Sequence, residues 1–232
     1  MAAAAPGHRV DWAVMTDAIP YSIRRSPRAR RVSVTVDAST GVEVVLPRRA
    51  REREADAAVR ELRPWIERRL RSLERARAEL GLRPGLVPYL GETLELRRER
   101  GRQRVVRRGE TLVVPAGDHR PALERWYRRR ARAEIEPRLH DACASAGHEL
   151  GSLSIRGQRT RWASCSPSGA MSFNWRLLLA PEPVLDTVVW HEVCHLDIAD
   201  HSSRFWALLE RRRPDHREHQ RWLRRYGALL TL

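Results

Sequence analysis

Valine and polar residues alternate near the start of the chain. Val32, Val34 and Val36 are separated by Ser33 and Thr35, and a second apolar run, Val42 to Leu46, follows Asp-Ala-Ser-Thr-Gly. A period of two places one set of side chains on one face of a strand. Turn residues between two such runs predict a hairpin. From Arg51 to Leu80 the period changes: Leu62, Trp65, Ile66, Leu70 and Leu73 recur at helical spacing among charges, and Pro64 interrupts them. One broken helix or two successive helices are expected. The segment GLRPGLVPYLG, residues 81–91, reads as a linker by its glycines and prolines. Residues 92–115 carry three short runs separated by glycine, which predict a small sheet.

The second half is more helical. Residues 121–147 predict a long basic helix kinked near Pro137. Candidate strands at 161–165 and 171–178 flank the turn Ser166-Pro167-Ser168-Gly169. Pro181 and Pro183 suit a helix start, and Val184, Leu185, Val188 and Val189 give that helix an apolar stretch. A break near Asp200 precedes helices at about 202–213 and 215–227. The pattern is α+β. It divides into a weakly ordered leader at 1–18, a β-rich region with helices at 19–120, and a C-terminal region at 121–232 whose strands pack on the helix after Pro181.

Composition adds a strong charge to this picture. The net charge is +15, and all 44 basic residues are arginine. Such a surface attracts polyanions, less so as salt rises, which makes nucleic acid or nucleotide a candidate partner. On helix 121–147 the pattern favours a solvated face with Arg–Glu pairs at Glu124, Glu134 and Glu136. Trp190, Trp206 and Trp222 occupy helical positions suited to packing. An odd set of cysteines, Cys143, Cys165 and Cys194, argues against a disulfide framework. The N-terminus lacks a signal-peptide pattern, and no apolar run reaches the ~18 residues of a membrane span. A cytoplasmic protein without a membrane partner is expected.

The candidate chemistry sits in VVWHEVCHLDIADHSSRFW, residues 188–206. Residues four apart on a helix share a face, so His191 and His195 can bind one ion. Glu192 is next to them and can reach a water without being a ligand. Catalytic zinc sites use three protein ligands and leave a position open. His201 lies too far along a continuous helix, so the chain must turn before it. Asp200 tolerates left-handed backbone and Ser202 can cap the next helix. Asp197 and Glu210 are the alternative third ligands. Cys194 is expected to pack, Cys165 lacks a His–Asp arrangement beside it, His216 and His219 are expected to face solvent, and His140 and His148 show no pattern.

These residues resemble the YgjP-like metal-dependent hydrolases and, more distantly, the SprT-like and WLM-type zinc peptidases. The resemblance covers about residues 152–223. It includes an Arg-Trp-x-Ser-Cys strand, an Asn-Trp-Arg strand, the HExxH helix and a His-Ser-x-x-Phe-Trp segment. It implies a zincin-like catalytic region, Zn2+ as cofactor, and His201 as the third metal ligand beside His191 and His195. Ala163 stands where Gly is common and Asp200 where Asn is common. Ile198 holds the place of the metzincin Gly, so the chain is not a metzincin.

The implied activity is zinc-dependent hydrolysis, with Glu192 as general base acting on a metal-activated water. Peptide or protein is the first substrate class, and the strand GAMSFNWRL offers an edge for an extended peptide. Asn174, Arg176 and Arg161 are candidates to stabilise an oxyanion. The alternatives are a nucleotide or phosphoanhydride hydrolase using the same site, or a nucleic-acid-associated protein with a structural metal. The last is disfavoured because structural zinc normally has four protein ligands.

Overall fold

The computed structural model describes residues 19–158 and 160–232, and the expected leader at 1–18 lies outside them. The chain forms two compact units that divide between Glu79 and Leu80.

In the first unit the expected hairpin forms. Strand β2 (Ser33–Asp37) pairs antiparallel with β3 (Gly41–Pro47), matching Val34 with Val44 and Val36 with Val42. The Asp37 carboxylate accepts the amides of Ser39 and Thr40 at 2.8 and 3.1 Å, and Gly41 supplies the left-handed φ of 78° that closes the turn. An additional strand, β1 (Tyr21–Ser26), pairs in parallel with β3. Its side chains are mostly exposed, so it carries no hydrophobic alternation to read. As the central strand, β3 buries nearly every residue. Val42, Val44 and Leu46 pack with Ala55, Val59 and Ile66 from α1 (Glu52–Glu61) and α2 (Arg63–Glu79). The helices break where Pro64 predicts. Leu62 and Trp65, which belong to the expected apolar stripe, are instead exposed, at 37% and 41%.

The second unit opens with a correction. Residues 86–89 of the expected linker are strand β4 (Leu86–Tyr89), because Val87 and Tyr89 alternate into a core. It joins β5 (Glu92–Glu99), β6 (Val106–Arg108) and β7 (Thr111–Pro115) in the order β4-β5-β7-β6. Helix α3 (Arg120–Ala146) runs unbroken through Pro137. Its Leu123, Trp126, Tyr127, Ile135 and Leu139 share one core with Val87, Leu94, Leu112 and Val114 of this sheet. The boundary expected after residue 120 therefore falls inside a unit: the sheet buries its apolar face together with the helix that follows it.

A second sheet supports the candidate chemistry. It contains β8 (Leu153–Arg156), β9 (Ala163–Cys165) and β10 (Met171–Asn174) in the order β8-β10-β9. The pair β9–β10 is antiparallel, as expected, whereas β8 adds in parallel. The strand predicted over 171–178 ends at Asn174 and gives way to a 3-10 helix at Trp175–Leu179. Then come α4 (Glu182–Asp197), α5 (Ser203–Arg212) and α6 (His216–Tyr226), with α4 packed against α3, β9, α5 and α6. Among the described residues, no helix is long and apolar enough to cross a membrane.

Candidate metal centre

Helix α4 is held by its apolar residues. Val184, Leu185, Val189 and Val193 are at most 2% exposed, and their fixed packing sets the direction of the polar residues between them. Arg138 of α3 pins the start of the helix, bonding to Glu182 and, at 3.2 Å, to Asp186. At its other end the chain turns out at Ile198, whose backbone is extended. The Asp200 carboxylate accepts the Ser202 amide at 2.9 Å. Asp200 thus shapes the turn through its side chain: among the described residues, Leu90 is the single non-glycine with left-handed φ. Ser202 occupies the α5 N-cap position without a side-chain cap bond.

This turn brings His201 back to His191 and His195. Their ligand atoms all lie within 4.8 Å of one another, and Nε2 of His201 is 2.9 Å from Nε2 of His191. Two nitrogens on one tetrahedral zinc, each at ~2.0–2.1 Å from it, stand ~3.3 Å apart, so a small ion fits with little adjustment. Nδ1 of His195 donates to the carbonyl of Ile198 at 3.0 Å, which leaves Nε2 with a free lone pair for a metal. Burial, reinforced by the neighbouring histidines, lowers the His191 pKa to about 3. Its ring is neutral at physiological pH, the form a metal requires. Burial also lowers the pKa of His201, with His195 adding to the effect.

Aromatic rings back the triad. Phe205 is fully buried and stacks on His195 with centroids 4.5 Å apart. Trp206 stacks on His201 at 5.5 Å and on His216 at 5.7 Å. His216, expected in solvent, is 2% exposed, and its Nε2 donates to Glu210 at 2.6 Å. His219 is also engaged, with Nδ1 2.7 Å from Thr187 Oγ1. The spacing 216, 219, 220, 223 marks one face of α6, and Leu223 packs on the core; that periodicity was the available signal, outweighed by the surrounding charges. Asp197 sits 2.9 Å from His148 Nε2. Neither alternative third ligand, Asp197 or Glu210, belongs to the histidine cluster.

Glu192 is 5% exposed. Burial raises its pKa to about 7, against the opposing effect of a bond from the Cys165 backbone amide. That amide, on β9, is a contact that residue identities do not reveal. The Cys165 thiol donates to the Ser166 carbonyl at 3.4 Å and its pKa is raised by burial. Cys194 is buried as expected, and all three cysteines are free thiols.

Two of the three oxyanion candidates have other tasks, and the third, Arg161, is exposed. Asn174 donates to the carbonyls of Gln158 and Arg161 at 2.7 and 3.2 Å and caps the 3-10 helix through Oδ1. Arg176 donates to the Gly157 carbonyl at 3.1 Å and lies over Trp175. The strand GAMSFNWRL offers no edge, because β10 is paired on both sides. Among the described residues the sheet edge beside α4 belongs to β9, whose Cys165 amide is bonded to Glu192. On α3 the expected pairs form: Glu124 with Arg128, Glu134 with Arg130 and Arg138, and Glu136 with Arg132.

A family model, YgjP-like, metallopeptidase domain, matches residues 30–226. No curated protein and no solved structure matches the chain.

Proposed function

The chain belongs to the YgjP-like metallopeptidase family, and from that membership we propose that it is a zinc-dependent peptidase, with His191, His195 and His201 holding the ion and Glu192 serving as general base. The observation that carries this reading is the convergence of three imidazoles beside the buried Glu192 carboxylate. A set of three nitrogen donors suits zinc in a catalytic site, where a fourth position stays open. When bound, the ion supplies Lewis acidity that brings a water's pKa toward neutrality.

The protein's own groups do the rest. Glu192 would take a proton from the attacking water as its oxygen adds to the peptide carbonyl, and would deliver it to the amine as the C–N bond breaks. The Cys165 amide keeps the carboxylate in place. An extended peptide adds along the outer edge of β9 beyond the Cys165 amide that Glu192 engages, beside the helix that carries His191 and Glu192.

Peptide is favoured over phosphoanhydride because the matching family model is a metallopeptidase domain. The test is cleavage of unfolded protein and of nucleotides by zinc-loaded protein, each with and without chelator. Chelator-sensitive proteolysis that falls about 10²–10⁴-fold in Glu192→Gln, with zinc retained, is expected. Nucleotide turnover without proteolysis would reverse the assignment, and unchanged turnover in Glu192→Gln would remove Glu192 as the base.

A further inference from the structure

The strand order β1-β3-β2 forces one connection across the end of the N-terminal sheet. β1 finishes at Ser26 beside Pro47, and β2 begins at Ser33 opposite Val45. Because β3 lies between them, residues 27–32 must cross over its C-terminal end. The chain leaving β3 enters Arg48 and Arg49 at the same place. Arg25 joins the two segments, donating from Nη1 to the carbonyls of Arg48 at 3.3 Å and Ala50 at 2.8 Å. Helix α1 starts just beyond, so the positive end of its dipole belongs to this end of the sheet as well.

Residues 25–31 and 48–54 hold eight arginines against two carboxylates, Glu52 and Glu54. Glu54 accepts the Arg51 amide at 2.8 Å, and Glu52 lies 3.9 Å from Arg25. Arg28, Arg30, Arg31, Arg48 and Arg49 are exposed and have no carboxylate partner among the described residues. Guanidinium groups gathered this way repel one another until an anion lies among them.

We propose that this end of the sheet binds the phosphate backbone of nucleic acid. The planar guanidinium fork matches phosphate oxygens two at a time. The composition favours a polyphosphodiester over a lipid surface. The two crossing segments, SPRARR and PRRAR, contribute serine, proline and alanine beside arginine, with no aromatic or long aliphatic side chain to enter a bilayer. The same lack of aromatic residues leaves no platform for stacking bases, so binding is to the backbone and independent of sequence. The surface lies wholly in the first unit and does not depend on the assignment of the metal centre.

The test is fluorescence anisotropy of a short labelled DNA duplex titrated with the full chain at several salt concentrations. Five phosphate contacts give a slope of log K against log salt of about −4.5, a roughly five-hundredfold loss between 50 and 200 mM. Arg48→Gln with Arg49→Gln should flatten the slope by about 2. Both side chains are exposed, and circular dichroism checks that the fold is kept. The control is Arg68→Gln with Arg69→Gln, which removes the same charge from exposed positions of α2. A control pair that changes the slope equally would assign binding to diffuse net charge and overturn the surface. So would no binding by the parent at ~50 mM salt, or binding to phosphatidylserine vesicles that equals or exceeds binding to the duplex.

Discussion

Trp206→Ala tests the proposed triad while leaving every ligand in place. His201 is the exposed member of the three, and it sits in the turn between α4 and α5. Its ring is stacked on Trp206 at an interplanar angle of 29°, and Trp206 is backed by His216 at 15°. His216 is fixed in turn by Glu210. An aromatic pair of this kind contributes ~0.5–1.5 kcal/mol beyond its buried area. Without the indole the imidazole also regains rotational freedom that zinc binding must remove, at a further ~0.5–1.5 kcal/mol. The stack itself is present with and without the metal and cancels, so the ordering term sets the loss of zinc affinity, between about twofold and twelvefold. Competition with a chromophoric chelator at neutral pH measures it directly. Trp206→Phe keeps a stacking face and should stay within about threefold of the parent. Parent-like affinity in Trp206→Ala would refute the reasoning, and so would a loss in Trp206→Phe as large as in Trp206→Ala.

The remaining predictions concern protonation and backbone packing. Burial raises the Glu192 pKa from 4.5 to about 7, so in metal-free protein the folded chain keeps a proton that the unfolded chain releases at lower pH. The stability this contributes is complete below about pH 4.5 and is lost as pH rises through about 7, by ~3 kcal/mol. His191, whose pKa burial lowers to about 3, gains stability up to about pH 6.5 and opposes this loss, so the loss is read as the difference between parent and Glu192→Gln in thermal melts of chelator-treated protein from pH 5 to 8; parallel profiles would contradict the burial argument. In Gly151→Ala the new Cβ would lie 2.7 Å from the Gly169 carbonyl oxygen. Backbone cannot swing aside as a flexible side chain can, so a cost of ~1–3 kcal/mol is expected, read as a lower melting temperature.

What the sequence made legible follows from how far apart the interacting groups are. The hairpin of β2 and β3 and the break at Pro64 depend on neighbours a few residues apart, and local pattern found them. The first two imidazoles were legible for the same reason, since four residues on a helix set their geometry. β1, β4 and β8 escaped because their evidence is non-local. A parallel partner such as β3 for β1 leaves no turn between the strands to mark the pairing, and β4 lay within a segment of glycines and prolines. His216 shows the converse error. The charged residues around it made it look solvated, yet α6 rotates it under Trp206, where Nε2 has Glu210 while Nδ1 is buried without a partner among the described residues. An imidazole kept in so costly a position must be supported by what it touches, and what it touches is the indole behind His201. The part of the site that sequence proposes is thus the set of residues facing the candidate metal position, whereas the rings and the backbone amide that hold them come from α5, α6 and β9, elements whose approach only the folded chain fixes.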